Sequence, residues 1–268
     1  MSILQAIILG LVQGLTEFIP VSSSGHLILF HDFLGVSLSP QAGFIFDMAL
    51  NIGTLSALLL YFHREVLELA RAIFNKQAKL FRLAWLLVLA TIPAAIFGFL
   101  LKSTAESAFR SSRLVATSLI VAGCIMLIVE WYAKKAKAKT KLADVSIKQS
   151  LAVGLAQAFA IIPGVSRSGA TITTGLLTNI DRVDATRFSF LLGIPIMFGA
   201  ILDTLLSGSA ISNINGEKGI FLSGILAAFL SGLFAIKFML RFLSKHTLDI
   251  FGYYRIVLGV VVLLFSVI

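Results

Sequence analysis

Pro20-Val21-Ser22-Ser23-Ser24-Gly25-His26 interrupts an apolar stretch that runs from residue 3 to residue 31. Pro163-Gly164-Val165-Ser166-Arg167-Ser168-Gly169 interrupts a second one, 149–178. Proline, glycine and clustered serines end helices. Non-helical backbone at membrane depth survives only where protein or a water-filled cavity satisfies its polar groups. Each stretch is therefore expected to fold as a re-entrant helix–loop–helix hairpin. These two hairpins decide the fold.

The composition agrees. Of 268 residues, 58% are hydrophobic and 13% charged, and the mean hydropathy is +0.97. Soluble domains carry about 25% charged residues. A chain of this length could not cover so apolar a core with polar surface, which excludes a cytosolic globular enzyme. The single Cys124 excludes a disulfide scaffold. The net charge of +9 is not a nucleic-acid footprint, because polytopic chains concentrate Lys and Arg in their loops. Crossing the hydrocarbon core takes about 20 largely apolar residues. Segments 43–63, 82–101, 113–132, 185–206, 219–243 and 250–268 meet that requirement. The expectation is an all-α polytopic membrane protein with six transmembrane helices and two re-entrant hairpins.

The two breaks read as copies. Gln5, Gly10, Leu11 and Gln13 recur at Gln149, Gly154, Leu155 and Gln157, an offset of 144. Val21 to Gly25 then matches Val165 to Gly169 at the same offset. Residues 1–132 thus form one repeat, 133–148 a basic loop, and 149–268 a second repeat. A hairpin plus three spans is an odd number of crossings, so the repeats are expected to be inverted. Interrupted segments at matching places then point to the functional site. Loops 64–82, 133–148, 179–187 and 241–249 hold 15 of the 22 Lys and Arg. Loops 32–42, 102–113 and 207–218, on the other side, hold four. The basic side is expected to be cytoplasmic, with the first hairpin entering from outside and the second from inside.

Intramembrane polar residues are costly and usually face a cavity. Glu17 follows Gln13 by one helical turn, on the same face. This oxygen-rich pair suits proton handling or a hard divalent cation, Mg²⁺ or Ca²⁺, which keeps waters and borrows phosphate oxygens. The serines Ser22, Ser23 and Ser24 are ordinary N-caps by type. Before His26, however, a serine hydroxyl near an imidazole is a minimal nucleophile–base pair. Gly25 permits close backbone approach. Arg167 is the strongest signal: its structural partner would be Glu17, and its donors match a phosphate. Ser166, Ser168, Gly169 and Thr171 surround it at another half-helix N-terminus, an anion site. Together these groups describe a phosphate or pyrophosphate pocket. Asp47 and Asn51, one turn apart, are candidates for its mouth. Lys237 and Arg255 are expected to snorkel from span ends. His63 and His246 fall in loops. Lys134, Lys135, Lys137, Lys139 and Lys141 are assigned to topology and anionic lipid.

At these residues the chain resembles the bacterial undecaprenyl-diphosphate phosphatases, also called bacitracin-resistance proteins. Gln13 to His26 resembles the family's first motif, a Glu/Gln-x-x-x-Glu pair followed by Pro-Val-Ser-Ser-x-Gly-His. Pro163 to Thr171 resembles the second, and Tyr254-Arg255 also fits. The resemblance implies hydrolysis of undecaprenyl diphosphate to the monophosphate, which regenerates the lipid carrier of peptidoglycan synthesis. It implies functional roles for Gln13, Glu17, Ser23, His26 and Arg167 in the bacterial plasma membrane. Gln13 stands where many members carry Glu, which weakens a metal role at that position. The expected mechanism has Ser23 attack the terminal phosphorus or position water, and His26 act as general acid or base. Arg167 with the Ser22, Ser24, Gly25, Ser166, Ser168, Gly169 and Thr171 groups holds the phosphates in an outward-facing cavity. Membrane lipids are the surrounding partners, and a homodimer is compatible with the pattern. The rival reading is a transporter or flippase of a polyprenyl phosphate, since inverted repeats with broken helices also mark secondary transporters.

Overall fold

The computed structural model describes residues 1–36, 38–75, 78–100, 111–135, 139–206 and 217–265. Lys137 and most of loops 102–113 and 207–218 lie outside these residues. Among the described residues are eleven α-helices: α1 (Ile3–Phe18), α2 (Ser23–Phe33), α3 (Pro40–Tyr61), α4 (His63–Asn75), α5 (Ala78–Leu100), α6 (Ser112–Ala133), α7 (Ile147–Phe159), α8 (Arg167–Leu177), α9 (Arg182–Leu206), α10 (Lys218–Leu243) and α11 (Asp249–Phe265). A 3₁₀ turn covers Leu142–Asp144. Five helices carry stretches long and apolar enough to cross a membrane: Gln41–Tyr61, Lys79–Leu100, Ser112–Ala133, Arg182–Leu206 and Lys218–Leu243. The segment expected at 250–268 forms α11, whose 17 described residues fall short of that length.

The two interrupted stretches fold alike from their first residues. Ser2 and Gln5 form a capping box on α1, and Ser146 and Gln149 form the same box on α7. In each, two orphan N–H groups at the helix start are satisfied reciprocally. The same glutamines then reach the far end of their hairpin. Gln5 Nε2 donates to Leu34 O at 3.0 Å, and Gln149 Nε2 to Thr178 O at 2.7 Å. Cap, box and closing contact thus all keep the offset of 144.

The halves interleave. α1 packs along α10 and α7 packs along α5, while α3 meets α9 and α6 meets α11. Lipid gives little hydrophobic drive between helices, so close approach comes from small residues. A Cβ on Gly10 would lie 2.9 Å from Ala227 Cβ, and one on Gly123 would lie 2.9 Å from Gly252 O.

Loop 64–82 is a correction: it contains α4 and the first turn of α5. Val66, Leu69, Ala70 and Ile73 repeat at helical spacing with Arg64, Glu68 and Arg71 opposite, a pattern of period 3.6. His63 therefore opens a helix. The four loops expected on the basic side do gather at one end. Arg187 donates to Glu65 Oε1 at 2.7 Å, Arg82 to Val145 O at 2.8 Å, and Lys134 to Asp249 Oδ2 at 2.8 Å. The fully buried Glu130 pairs with Arg182 and accepts from Leu248 N at 2.7 Å. At the opposite end, His31 meets Asp47 at 2.9 Å.

Candidate active site

Both breaks turn on a serine in an unusual backbone state. Ser22 has φ 78°, ψ 95°, and Ser166 has φ 71°, ψ 116°. A non-glycine residue in this region stores on the order of 1–3 kcal/mol of strain, which the surroundings must hold in place. Each serine caps the helix it precedes: Ser22 Oγ accepts from Gly25 N at 3.3 Å, and Ser166 Oγ from Gly169 N at 3.1 Å. Ser22 Oγ also accepts from Gly164 N at 3.1 Å, so the first break holds the second.

The breaks bring α1, α2 and α8 to one point. Glu17, in the last turn of α1, accepts Ser23 Oγ on Oε2 at 2.5 Å and Arg167 Nη2 on Oε1 at 3.0 Å. Gln13 Nε2 bridges Glu17 Oε2 and Asn51 Oδ1, at 3.2 Å each. Arg167 Nη1 is steadied by Ser189 O at 3.1 Å. Gln13 and Glu17 are buried, Ser23 is half-buried and Ser24 is exposed. A hydroxyl held on a carboxylate at a helix N-terminus is a built nucleophile–base arrangement, with a guanidinium beside it for anionic charge.

The remaining expected residues divide. His26 is buried but its two ring nitrogens point away from Ser23. Nδ1 lies 2.8 Å from Ser22 O and Nε2 lies 2.8 Å from Tyr254 OH. Because a carbonyl only accepts, Nδ1 carries the proton and the tyrosine donates to Nε2. Among the expected phosphate donors, Ser22, Ser166, Ser168 and Thr171 are spent within the protein. Ser168 Oγ donates to Glu17 O at 3.0 Å, and Thr171 Oγ1 meets Ser189 Oγ at 2.6 Å. Gly25 and Gly169 are buried beside their caps. Asn51 joins the site through Gln13, whereas Asp47 pairs with His31 nearer the N-terminus of α3.

The roles of three residues escape the sequence, although the resemblance includes two of them, Tyr254 and Arg255. Arg255 does not snorkel: it is 1% exposed, and its guanidinium donates to Gly164 O and Val165 O at 2.7 Å and to Pro20 O at 3.4 Å. It clasps both breaks from α11. Its neighbour Tyr254 holds His26. Gly193 on α9 leaves space that the Arg167 guanidinium occupies. The signal for the first two is their adjacency: a polar pair in the second turn of an otherwise apolar helix.

The donor set fits a hard divalent cation in one respect. The amide nitrogen of Gln13 sits between two oxygens, and amide O and N interchange by rotation. The turned amide would present three oxygens, from Gln13, Glu17 and Asn51. Among the described residues, no three His, Cys, Asp or Glu gather as a cage. A cation here would take its other ligands from water and phosphate oxygens, as Mg²⁺ does.

Fold and site together define a polytopic helical membrane protein with a Ser–Glu–Arg centre where two broken helices meet. The chain belongs to the family described as bacitracin resistance protein BacA, whose model matches residues 6–261. It is 43% identical over 263 residues to an undecaprenyl-diphosphatase of Moorella thermoacetica, covering 98% of this chain and 97% of that protein. It is 42% identical over 268 residues to an undecaprenyl-diphosphatase of Gemmatimonas aurantiaca and 39% identical over 267 residues to one of Desulforudis audaxviator, each with 98% and 97% coverage.

Proposed function

We propose that this chain hydrolyses undecaprenyl diphosphate to undecaprenyl phosphate and inorganic phosphate, returning the lipid carrier to peptidoglycan synthesis and conferring bacitracin resistance. The observation that carries the reading is the Ser23–Glu17–Arg167 contact set at the N-terminus of α2. Ser23 attacks the terminal phosphorus while Glu17 takes its proton. The bond from that phosphorus to the bridging oxygen breaks, and undecaprenyl phosphate leaves with the proton from Glu17. Water then attacks the phosphoserine as Glu17 takes one of its protons, the bond from phosphorus to Ser23 Oγ breaks, and Glu17 returns that proton to Ser23 as phosphate is released. Arg167 and the α2 N–H groups face the transferring phosphoryl, whose charge is spread over its oxygens. A divalent cation, Mg²⁺ or Ca²⁺, would be held by Glu17, Gln13 and Asn51, where it would add further charge neutralisation.

In the membrane, α3, α5, α6, α9, α10 and α11 are the six spans, and α1/α2 and α7/α8 are re-entrant hairpins. Residues 1–132 and 149–268 are inverted repeats joined by the basic loop 133–148. The shared caps, strained serines and closing glutamines support this arrangement. The protein resides in the bacterial plasma membrane with loops 64–82 and 133–148 cytoplasmic and the site opening outward. The carrier alternative would also use paired breaks, but it has no need of a serine hydroxyl 2.5 Å from a carboxylate.

Phosphate release from a prenyl diphosphate by purified protein tests the reading. Wild type releases phosphate; Ser23→Ala loses it by orders of magnitude, as expected for a nucleophile. Retained lipid binding without release by wild type would favour the carrier.

A further inference from the structure

The site described above lies between helices, and a lipid substrate has to reach it from the bilayer. α2 packs against α1 and α6, while α11 packs against α6. Between α2 and α11 the bridge runs through His26 and Tyr254, whose rings lie nearly parallel, 10° apart, with centroids 5.8 Å from one another. Tyr254 is 46% exposed and belongs to the outward stripe of Ile250, Tyr253, Val257 and Val261 on α11. One side chain thus touches both the lipid-facing surface and a buried residue of the site.

Spacing along α2 gives the bridge a meaning. Ser23 and His26 share a face, and three residues rise about 4.5 Å along a helix. That rise suits the two phosphates of a diphosphate. The terminal phosphate would lie at Ser23 between Glu17 and Arg167, and the lipid-linked phosphate one turn outward, at His26 and Tyr254.

We infer that the substrate enters sideways through the seam between α2 and α11, and that Tyr254 hydrogen-bonds the phosphate attached to the prenyl chain. The inference rests on the lipid-diphosphatase reading. In the free enzyme the Tyr254 hydroxyl is parked on His26 Nε2 and keeps the imidazole in its Nδ1–H form. With substrate present, the hydroxyl turns to the lipid-linked phosphate while the ring stays between bilayer and site. The prenyl chain then runs out along the stripe formed by Tyr253, Val257 and Val261. Tyr254 is a substrate-binding residue in this scheme, and the proton from Ser23 never passes through it.

Two measurements test this on the full chain in detergent. In the first, phosphate release from farnesyl diphosphate is followed for wild type, Tyr254→Phe and Ser23→Ala. Tyr254→Phe should raise KM about tenfold, the loss of one hydrogen bond to a charged group, and leave kcat within about threefold. A fall in kcat at unchanged KM, or no change in either, would overturn the assignment. In the second, farnesyl diphosphate carrying a benzophenone on its terminal isoprene unit is photolysed on the protein. Cross-links competed by unlabelled substrate should map to α2 and to the outward stripe of α11. Competed cross-links confined to α3, α5 or α10 would place the access route elsewhere and overturn the inference. Phosphate release by wild type keeps the two failures apart: its absence removes the phosphatase reading, and its presence with the wrong cross-links removes only the seam.

Discussion

Gly193 lacks a side chain where the Arg167 guanidinium lies, and a Cβ there would collide with Nη1 and come 2.8 Å from Cζ. The atoms in the way are the far end of a flexible side chain, so Gly193→Ala should fold at little cost and push the guanidinium off Glu17. A displacement of about 1 Å at a reacting centre can lose about 100-fold in rate. Phosphate release should therefore fall to that order in a protein whose melting temperature stays near wild type. Near-normal turnover would show that Arg167 is not needed where it sits. Gln157 supplies the opposite case. It is the counterpart of Gln13 at the offset of 144 and is 3% exposed, yet both of its amide atoms are without a partner. An unpaired buried amide costs about 1–3 kcal/mol, so Gln157→Met should keep or raise thermal stability and leave kcat unchanged. A clear loss of stability would mean that the amide is satisfied within the fold. The sequence already separates the two, because Glu17 lies one turn from Gln13 where Ile161 lies one turn from Gln157. Only the fold adds Asn51 beside Gln13.

At the scale of elements, the hairpins were legible because their breaks violate the rule for apolar helices, and Pro20, Ser22–Gly25 and Pro163–Gly169 announce that violation in residue type. The clasp that holds them was not. Arg255 sits in an apolar segment about where a snorkelling residue would, and no local pattern says that carbonyls of Pro20, Gly164 and Val165 will converge on it from far along the chain. Arg255→Met removes every donor and leaves those carbonyls buried, at about 1–3 kcal/mol for each orphaned group. The variant should melt well below wild type and lose activity with it, because both breaks relax together. Arg255→Lys supplies one ammonium and should recover part of the stability. If Arg255→Met melted at the wild-type temperature, the clasp would not hold the breaks. The α1–α10 contact is set by a different device. A Cβ on Gly14 would run into Ser231 Oγ and backbone of α10. Gly14→Val should thus cost at least the roughly 1–3 kcal/mol typical of overpacking and displace the helix that carries Gln13 and Glu17. The measurement is thermal stability in detergent; an unchanged melting point would mean that α1 and α10 can part without penalty.

At the scale of the whole molecule, the gathering of the basic loops at one end was more legible in the sequence than the element boundaries. Fifteen basic residues against four needed only rough spans, whereas α4 was missed because it is apolar on one side and too short to cross. The four basic loops meet through Glu65–Arg187, Arg82–Val145, Lys134–Asp249 and Glu130–Arg182. They therefore form one end of the bundle, and the charge bias orients that end as a unit rather than loop by loop. His31 and Asp47 mark the other end, on the side where α2 finishes and where the site would open. In a Cys124→Ser background, single cysteines at the exposed Ser39 and at Lys139 read the two ends directly. A membrane-impermeant maleimide on intact cells should label Ser39→Cys, and should label Lys139→Cys only after permeabilisation. The reverse pattern would turn the bundle over and place the Ser23–Glu17–Arg167 centre within reach of the cytoplasm. Phosphate would then be released inside the cell, a result that the same cells would report through the sidedness of hydrolysis of an added prenyl diphosphate.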